Sequence, residues 1–208
     1  MKKIILFSGK LGSGKDPCAD FLIQLAKNKN ILAKKMSFAE PLKALCAEFF
    51  EFPLEWAYSR QGKENIPSLG GGKTVGEILQ LVGTEVTRSI NANFWVEKMK
   101  RQINADSECD LFIIPDCRFL NEAASFQEEN LLIDTALIHL SRVHENPGSR
   151  NAEHPSEKES DLIYSKFSQN EFERYFISID NRDSSVEETL QELVEKLHQK
   201  FEWSKYVF

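Results

Sequence analysis

The amino-acid sequence predicts an α/β protein in which a parallel sheet is covered by helices on both faces. Short apolar runs of the kind that form buried strands alternate along the chain with longer segments whose apolar residues recur at helical spacing. Strands that alternate with helices are joined by crossover connections, which make the sheet parallel. The length of 208 residues suits one domain, and 41% hydrophobic with 28% charged residues is ordinary for a folded protein.

Five short apolar runs are predicted to be strands. The first, residues 3–8, is nearly continuous in apolar residues and is followed at once by glycines, which is typical of a strand buried on both faces. Residues 111–115 have the same character and end at Asp116. The predicted strands are, in chain order, residues 3–8, 32–37, 111–115, 136–141 and 175–180.

Six segments carry the apolar spacing of helices that face a core. In the first, apolar residues recur at positions i, i+3, i+4 and i+7. Thr74, with Glu77 three residues later, forms a capping pattern at the start of another, and Ser184 or Ser185 caps the last. The predicted helices are residues 15–27, 40–50, 74–90, 93–103, 119–129 and 185–201.

Two irregular stretches interrupt this alternation. Residues 51–73 contain two prolines and three consecutive glycines, so we expect an irregular, mobile excursion. Residues 142–158 are polar, also contain two prolines, and are expected to form a loop or lid. Residues 1–208 are thus predicted to form a single domain that carries both excursions.

Charge and cysteine content exclude several classes of protein. The 26 basic residues are scattered and outnumbered by 32 acidic ones, so we expect no stable nucleic-acid binding, although a few positive groups suffice for one small anionic ligand. No stretch approaches the roughly 18–20 apolar residues of a membrane span. The four cysteines lack a C-x-x-C spacing, which indicates free thiols and a cytoplasmic location.

A glycine-rich motif lies between the first predicted strand and the first predicted helix. It matches the pattern G-x-x-x-x-G-K, and the strand before it and the helix after it supply the context that this pattern requires. The glycines let backbone N–H groups turn inward around a phosphate, and Lys15 supplies a full positive charge. The alternative is a strand-to-helix turn that binds no ligand. The candidate ATP-binding residues of this loop are Gly9, Gly12, Ser13, Gly14, Lys15 and Asp16.

Two aspartates are candidate ligands of Mg²⁺. Asp16 stands where such loops usually have Ser or Thr, and a carboxylate binds Mg²⁺ or its water molecules at least as well as a hydroxyl does. Asp116 follows a buried strand, where a carboxylate can hold Mg²⁺ through water. Arg118, two residues later, can bind a phosphoryl group through two parallel hydrogen bonds. The alternative for Asp116 and Arg118 is an ordinary surface ion pair.

The predicted lid carries two further candidate arginines. Arg142 follows the fourth predicted strand and Arg150 lies in the polar segment after it. An arginine on a lid can enter when ATP binds and stabilise the phosphoryl group during transfer, whereas the alternative is a pair of solvated loop arginines. His154 and Glu157 lack the ligand spacing of a zinc site, and we interpret them as structural parts of the lid.

Two residues near the strongest predicted helix allow two interpretations each. Trp95 can stack on a base, but aromatic residues at helix starts more often belong to the core. Arg88 can bind the phosphate of an acceptor, or it can simply be favoured by the dipole at the carboxyl end of its helix.

Several separated motifs carry a family resemblance that extends from residue 3 to about residue 197. They are residues 8–21, 38–43, 79–85 with 93–96, 114–118 with 121–122, 138–142, 154–157 and 179–181. In their order and spacing they resemble the deoxynucleoside monophosphate kinases encoded by bacteriophages, a branch of the P-loop nucleoside monophosphate kinase fold. Pro17 stands where that family usually has Thr, so a hydroxyl contact from this position is lost.

The resemblance implies a three-layer P-loop NTPase fold, in which helices flank a five-stranded parallel sheet, with a monophosphate-binding excursion at residues 51–73 and a lid. It implies transfer of the ATP γ-phosphoryl group, with Mg²⁺, to a (deoxy)nucleoside 5′-monophosphate. The implied catalytic residues are Lys15, Asp116, Arg118 and Arg142. Asn181 is implied to meet ATP, and the residues implied to bind the acceptor are Phe38, Lys43, Arg88, Trp95 and Glu122.

Small-molecule nucleotides are the partners that the resemblance implies, in the host cytoplasm if the protein is phage-encoded, and a homodimer is left open. Two alternative functions stand beside the monophosphate kinase. One is a phosphomevalonate-type or other small-acceptor kinase with a similar loop and fold. The other is a regulatory nucleotide-binding ATPase, against which the candidate lid arginines and the lack of a recognisable switch segment count.

Overall fold

The computed structural model describes residues 2–126, 133–141, 155–181 and 184–208. Its centre is a five-stranded parallel sheet with the strand order β2-β3-β1-β4-β5. The strands are β1 (Lys2–Ser8), β2 (Ala33–Lys35), β3 (Leu111–Ile114), β4 (Ile133–Ser141) and β5 (Phe176–Asp180). The predicted α/β class and the parallel sheet of five strands are therefore confirmed.

Helices follow the strands and connect them. They are α1 (Lys15–Asn28), α2 (Glu40–Phe49), α3 (Val75–Gln80), α4 (Thr87–Ile90), α5 (Phe94–Ala105), α6 (Leu120–Ala124), α7 (Pro155–Phe167), α8 (Val186–Lys200) and α9 (Ser204–Val207). None of the described helices is long and apolar enough to cross a lipid bilayer.

The chain divides into two compact units. The first unit, Met1–Met36 with Ile103–Phe208, contains the whole sheet. The second unit, Ser37–Gln102, is the insertion between β2 and β3 and is helical. The predicted excursion at residues 51–73 lies inside the second unit.

The core of the first unit lies between the sheet and the helices. Four consecutive residues of β1, Ile4 to Phe7, are fully buried, because a central parallel strand is covered on both faces. α1 packs Ala19 and Leu22 against the sheet, and α8 contributes Leu193 and Leu197. Each fully buried Leu or Ile is worth about 1.5–3 kcal/mol relative to exposure, so this layer holds the strand ends in place.

Several predicted elements differ from the observed ones. The predicted helix 74–90 is interrupted by a π-helical segment, Leu81–Val86, and α6 ends at Ala124. The excursion contains two short 3₁₀ helices, Leu54–Ala57 and Gly62–Glu64. The predicted loop or lid at 142–158 was wrong at its end, because α7 begins at Pro155, and its residues 142–154 lie outside the described ranges.

Two helices, α7 and α9, were not predicted at all. α7 is mostly polar and buries few apolar residues, so its sequence lacks a clear apolar stripe. A proline at its first position is compatible with a helix, since the missing N–H has no partner in the first turn anyway. α9 spans a single turn, which is too short for a periodic pattern to develop.

Candidate active site

The glycine-rich loop connects the carboxyl end of β1 to α1. Gly9, Gly12 and Gly14 have φ angles of 136°, 79° and 91°, a region that side chains with a Cβ atom rarely adopt. At Gly9 an added Cβ would also lie 2.4 Å from the carbonyl oxygen of Leu140. The backbone of the turn therefore requires glycine at these three positions, as predicted for a phosphate-binding loop.

Lys15, the first residue of α1, directs its ammonium group back into this loop. Its Nζ donates hydrogen bonds to the carbonyl oxygens of Gly9 and Lys10, both at 2.7 Å, and lies 3.2 Å from the Oγ of Ser13. The residue is only 8% exposed. A full positive charge thus lies inside the loop, at the N-terminus of a helix, which is the electrostatic arrangement that binds a phosphate.

Asn181 joins the end of β5 to the same loop. Its backbone N–H donates to the carbonyl of Ser141, and its side-chain Nδ2 donates to the carbonyl of Ser13, both at 3.0 Å. The side chain is buried, and its Oδ1 has no hydrogen-bond partner within the described ranges. The structure therefore brings Asn181 to the loop, where the sequence resemblance places a contact with ATP.

A buried pair that the sequence analysis missed lies at the base of the loop. Ser8 and His139 are register partners in β1 and β4, and the Oγ of Ser8 lies 3.0 Å from Nδ1 of His139. Burial, and then the charge of Lys15, lower the pKa of His139 to about 4. The signal in the sequence was a histidine inside the apolar run from Ala136 to Leu140.

The turn after β3 carries Asp116 and Arg118. Asp116 is half-buried, Arg118 is exposed, and the backbone N–H of Cys117 donates to the carbonyl of Phe7 at 3.1 Å, which ties this turn to β1. The carboxylate of Glu122 is buried and accepts hydrogen bonds from the backbone N–H groups of Arg118 at 2.8 Å and Phe119 at 3.0 Å. Glu122, predicted to bind the acceptor, here holds the turn that carries Arg118.

α7 contacts two of the turns at this end of the sheet. Glu159 accepts a hydrogen bond from the backbone N–H of Leu120 at 3.0 Å, at the start of α6. Asp161 forms an ion pair of 3.0 Å with Lys10 of the glycine-rich loop. Neither acidic residue was singled out in the sequence, because nothing in its spacing connects it to the loop.

Asp16, the second candidate ligand of Mg²⁺, lies at the surface. Its carboxylate forms an ion pair of 3.0 Å with Lys35, which also pairs with Asp20 at 2.7 Å. Within the described part of the chain, no three acidic, histidine or cysteine side chains are grouped to hold a metal ion by themselves. A metal at this loop would therefore depend on phosphate oxygens as ligands, with carboxylates orienting its water molecules.

In the second unit, Lys43 is part of a cluster with Glu40 and Tyr58. Nζ of Lys43 lies 3.4 Å from Oε2 of Glu40 and 4.3 Å from the centre of the Tyr58 ring. The Tyr58 hydroxyl donates a hydrogen bond to Glu40, and this bond raises the pKa of Tyr58 to about 12. Lys43 was predicted from α2, whereas Tyr58, in the excursion, was missed for lack of any periodic pattern.

Phe38 and Trp95, both predicted to bind the acceptor, are buried in the second unit. They line a narrow cleft together with Pro41 and Met99. The indole N–H of Trp95 donates to the carbonyl of Gly83 at 2.9 Å, a group in the π-helical segment. This position corresponds to the core alternative for Trp95, and stacking on a base stays a prediction.

Five predicted residues remain, of which Arg88 and Glu157 lie within the described ranges and three lie outside them. Arg88, in α4, donates from Nη1 to the carbonyl of Ala92 at 3.2 Å. Glu157 was predicted in a loop but belongs to α7. Arg142, Arg150 and His154 lie outside the described residues.

Comparison with known proteins gave one relative by sequence and one solved structure of note. No protein-family model matches the chain. The "Putative deoxynucleotide monophosphate kinase" of Acanthamoeba polyphaga mimivirus is 31% identical over 172 residues, which span 76% of this chain and 82% of the viral protein. The thymidylate kinase of Candida albicans matches with a TM-score of 0.49 and 12% identity, over 95% of this chain and 92% of that chain. That structural likeness is too distant to support an argument about function.

Proposed function

The chain belongs to the deoxynucleotide monophosphate kinase family, and from this premise we propose that it transfers the γ-phosphoryl group of ATP to a (deoxy)nucleoside 5′-monophosphate. The products are ADP and the (deoxy)nucleoside diphosphate. The observation that carries the proposal is the loop after β1, which combines three glycines of positive φ with the buried ammonium group of Lys15, bonded to the carbonyls of Gly9 and Lys10. This loop is suited to the phosphates of a nucleotide.

Catalysis in this proposal consists of positioning and charge neutralisation. An oxygen of the acceptor phosphate forms a bond to the γ-phosphorus while the bond to the β–γ bridging oxygen breaks, and ADP leaves with that electron pair. Lys15 neutralises charge on the phosphates from inside the loop. Arg118, on a turn held by Glu122, binds equatorial oxygens of the transferring group, and Arg142 is proposed to do the same.

Asp16 and Asp116 are the proposed carboxylates for Mg²⁺. Their carboxylate oxygens suit a hard cation such as Mg²⁺. This ion keeps several of its water ligands and needs only one or two carboxylates from the protein. When bound with ATP, Mg²⁺ neutralises charge on the β- and γ-phosphates. Asp116 follows β3, and β3 pairs with β1, the strand that leads into the loop.

The second unit, taken by itself, contains the proposed acceptor-binding residues. Lys43 is held by the carboxylate of Glu40 and the ring of Tyr58, which restricts a long side chain before any phosphate arrives. A cation with its geometry set in this way binds an acceptor phosphate at a smaller entropic cost. Arg88 and the cleft beside Trp95 complete the candidate acceptor residues, with Phe38 in the same cleft.

Finer assignments are also part of the proposal. The order of the sequence motifs favours the bacteriophage-type branch of the family and a deoxyribose acceptor. The partners are small nucleotides, with no stable binding of nucleic acid, and a homodimer is left open. All four cysteines are free, three of them buried, which supports a cytoplasmic location, that of the host for a phage-encoded protein.

A coupled assay of ADP release, with and without a panel of nucleoside and deoxynucleoside monophosphates, tests this function. We expect ADP release that depends on a monophosphate, with the diphosphate identified by chromatography. Phosphomevalonate in place of the nucleotide tests the small-acceptor alternative. Slow ADP release that no acceptor stimulates would overturn the kinase proposal in favour of a regulatory ATPase.

A further inference from the structure

The buried pair of Ser8 and His139 lies where the phosphate loop begins. Ser8 is the last residue of β1, directly before Gly9, and is fully buried. His139 is 5% exposed, and its Nδ1 lies 3.0 Å from the Ser8 hydroxyl. The next residue of β4, Leu140, presents the carbonyl oxygen against which Gly9 packs. This part of β4 therefore forms the base on which the loop begins.

We propose that His139 is a positioning residue for nucleotide binding, because its hydrogen bond to Ser8 sets the point from which the phosphate loop starts. The proposal rests on the function proposed above, since it assigns a role in binding the phosphates of ATP. It does not make His139 a catalytic residue. His139 acts through Ser8 and the loop backbone, and Lys15 remains the group that meets the phosphates.

The surroundings of His139 explain why a histidine can serve in this place. The ring of Tyr164, from α7, lies 5.2 Å away and the ring of Phe176, from β5, lies 6.4 Å away, centre to centre. These contacts restrict the imidazole in two directions, so that Nδ1 stays directed at Ser8. Burial and the nearby charge of Lys15 keep the ring uncharged at neutral pH. An uncharged ring adds no second cation that would repel Lys15.

The alternative is that His139 serves only to pack the sheet. The two explanations separate because Asn and Gln each preserve one ring nitrogen. An Asn amide can occupy the position of Nδ1 and keep the bond to Ser8, whereas a Gln amide reaches the position of Nε2 and loses it. Both variants replace the aromatic ring by a non-aromatic amide, so both lose the ring contacts.

The experiment compares His139→Gln, His139→Asn and Ser8→Ala in the full chain. For His139→Gln and Ser8→Ala we expect KM for ATP, and Kd for ATP measured by calorimetry without acceptor, to rise about five- to tenfold, the effect of one lost buried hydrogen bond. His139→Asn should stay within about twofold of the wild type. KM for the monophosphate should not change in any of the three. The double variant Ser8→Ala with His139→Gln should lose no more affinity for ATP than either single variant does.

Thr135→Val is the matched control on the same strand. Thr135 is buried and its hydroxyl donates to the carbonyl of Phe126 at 2.8 Å, toward the opposite end of β4. This variant should lower thermal stability without changing Kd for ATP. Ser8→Ala removes one oxygen atom and is the variant whose folding is least at risk, so it decides the matter if the His139 variants fail to fold.

The possible results separate this inference from the proposed function. If the wild type binds ATP and all of the folded variants bind it equally well, the inference is overturned while the kinase proposal stands. Equal losses of affinity in His139→Asn and His139→Gln, with no effect of Ser8→Ala, would assign His139 to packing alone and also overturn it. A wild-type protein that does not bind ATP would overturn both.

Discussion

The candidate phosphate sites of the two compact units are built in different ways. In the first unit the phosphate loop is a backbone structure, set by three left-handed glycines and by carbonyl groups that accept from Lys15 and Asn181. In the second unit the candidate acceptor site is a side-chain structure, in which Lys43 is held by Glu40 and a half-exposed Tyr58. Backbone geometry permits few substitutions, whereas side-chain clusters permit many.

From this difference we expect the two units to affect catalytic activity and acceptor specificity separately. Changes in the loop of the first unit should weaken reaction with every acceptor, because the phosphates of ATP are common to all of them. Changes in the Glu40, Lys43 and Tyr58 cluster should alter how well one acceptor is used relative to another. The five predictions below test this division, in order of decreasing effect.

Lys15→Ala is the largest expected change. Loss of the charge inside the loop should lower kcat by about 10³-fold, comparable to the loss of a strong preorganised donor in a transition state. The loss should be the same for every monophosphate. Circular dichroism should show an intact fold, since the ammonium group bonds the Gly9 and Lys10 carbonyls and the Ser13 hydroxyl, all atoms of the loop. Turnover near the wild-type value would contradict the assignment of this loop to ATP.

The free energy of unfolding should depend on pH through His139, which has no equivalent among the candidate residues of the second unit. Its folded-state pKa of about 4 lies below the ordinary value of 6.5, so the folded protein binds fewer protons than the unfolded chain between these values. The contribution of His139 to stability is therefore fully present above pH 6.5 and is lost as the pH falls toward 4, a loss of at most about 3 kcal/mol. Urea unfolding of the wild type and of His139→Asn at several pH values isolates this contribution. The same change of unfolding free energy with pH in both proteins would contradict it.

Arg118→Lys tests whether an exposed side chain of the first unit takes part in transfer. The lysine keeps the positive charge but loses the planar pair of N–H donors, so kcat should fall by about 10²-fold with little change in KM for ATP. Arg142→Lys is expected to behave in the same way. Steady-state kinetics with saturating ATP measure both, and unchanged turnover would return these arginines to the solvated surface.

Gly9→Ala tests the backbone character of the loop. The φ angle of 136° and a clash of 2.4 Å with the Leu140 carbonyl should together cost about 2–3 kcal/mol, seen as a lower melting temperature and weaker ATP binding. Gly71→Ala is the matched control in the second unit, since Gly71 also has a positive φ, 58°, but nothing lies within 4 Å of an added Cβ. Equal effects of the two changes would show that strain alone, without the clash, explains the loss.

Tyr58→Phe is expected to have the smallest effect and to act on the acceptor alone. It keeps the ring beside Lys43 but removes the hydroxyl that donates to Glu40. We expect KM for the monophosphate to change about threefold to fivefold, to different extents for different bases, while KM for ATP stays constant. A change in KM for ATP of the same size would remove the distinction between the two units.

The fold and the glycine-rich loop were largely predictable from local patterns. Uniformly apolar runs predicted β1 and β3, and the spacing of glycines with Lys15 predicted the loop, because both depend on residues that are close in sequence. The strong helix of the second unit was predicted in extent but not in its π-helical segment. Gly83 lies in this segment and packs closely against Leu42, since an added Cβ there would lie 2.4 Å from the Leu42 side chain.

By itself the sequence determined the alternation of strands and helices, the phosphate loop and the family resemblance. Each of these depends on neighbouring residues or on the order of short motifs. Only the tertiary structure joined residues distant in the chain: Ser8 with His139, Lys10 with Asp161, and Lys43 with Tyr58. It also assigned the carboxylate of Glu122 to backbone N–H groups of the turn that carries Arg118. The physical reason is that such contacts depend on which distant residues the fold brings together. Buried polar groups such as Ser8, His139 and Glu122 also need a hydrogen-bond partner, and local sequence patterns do not say which group that partner will be.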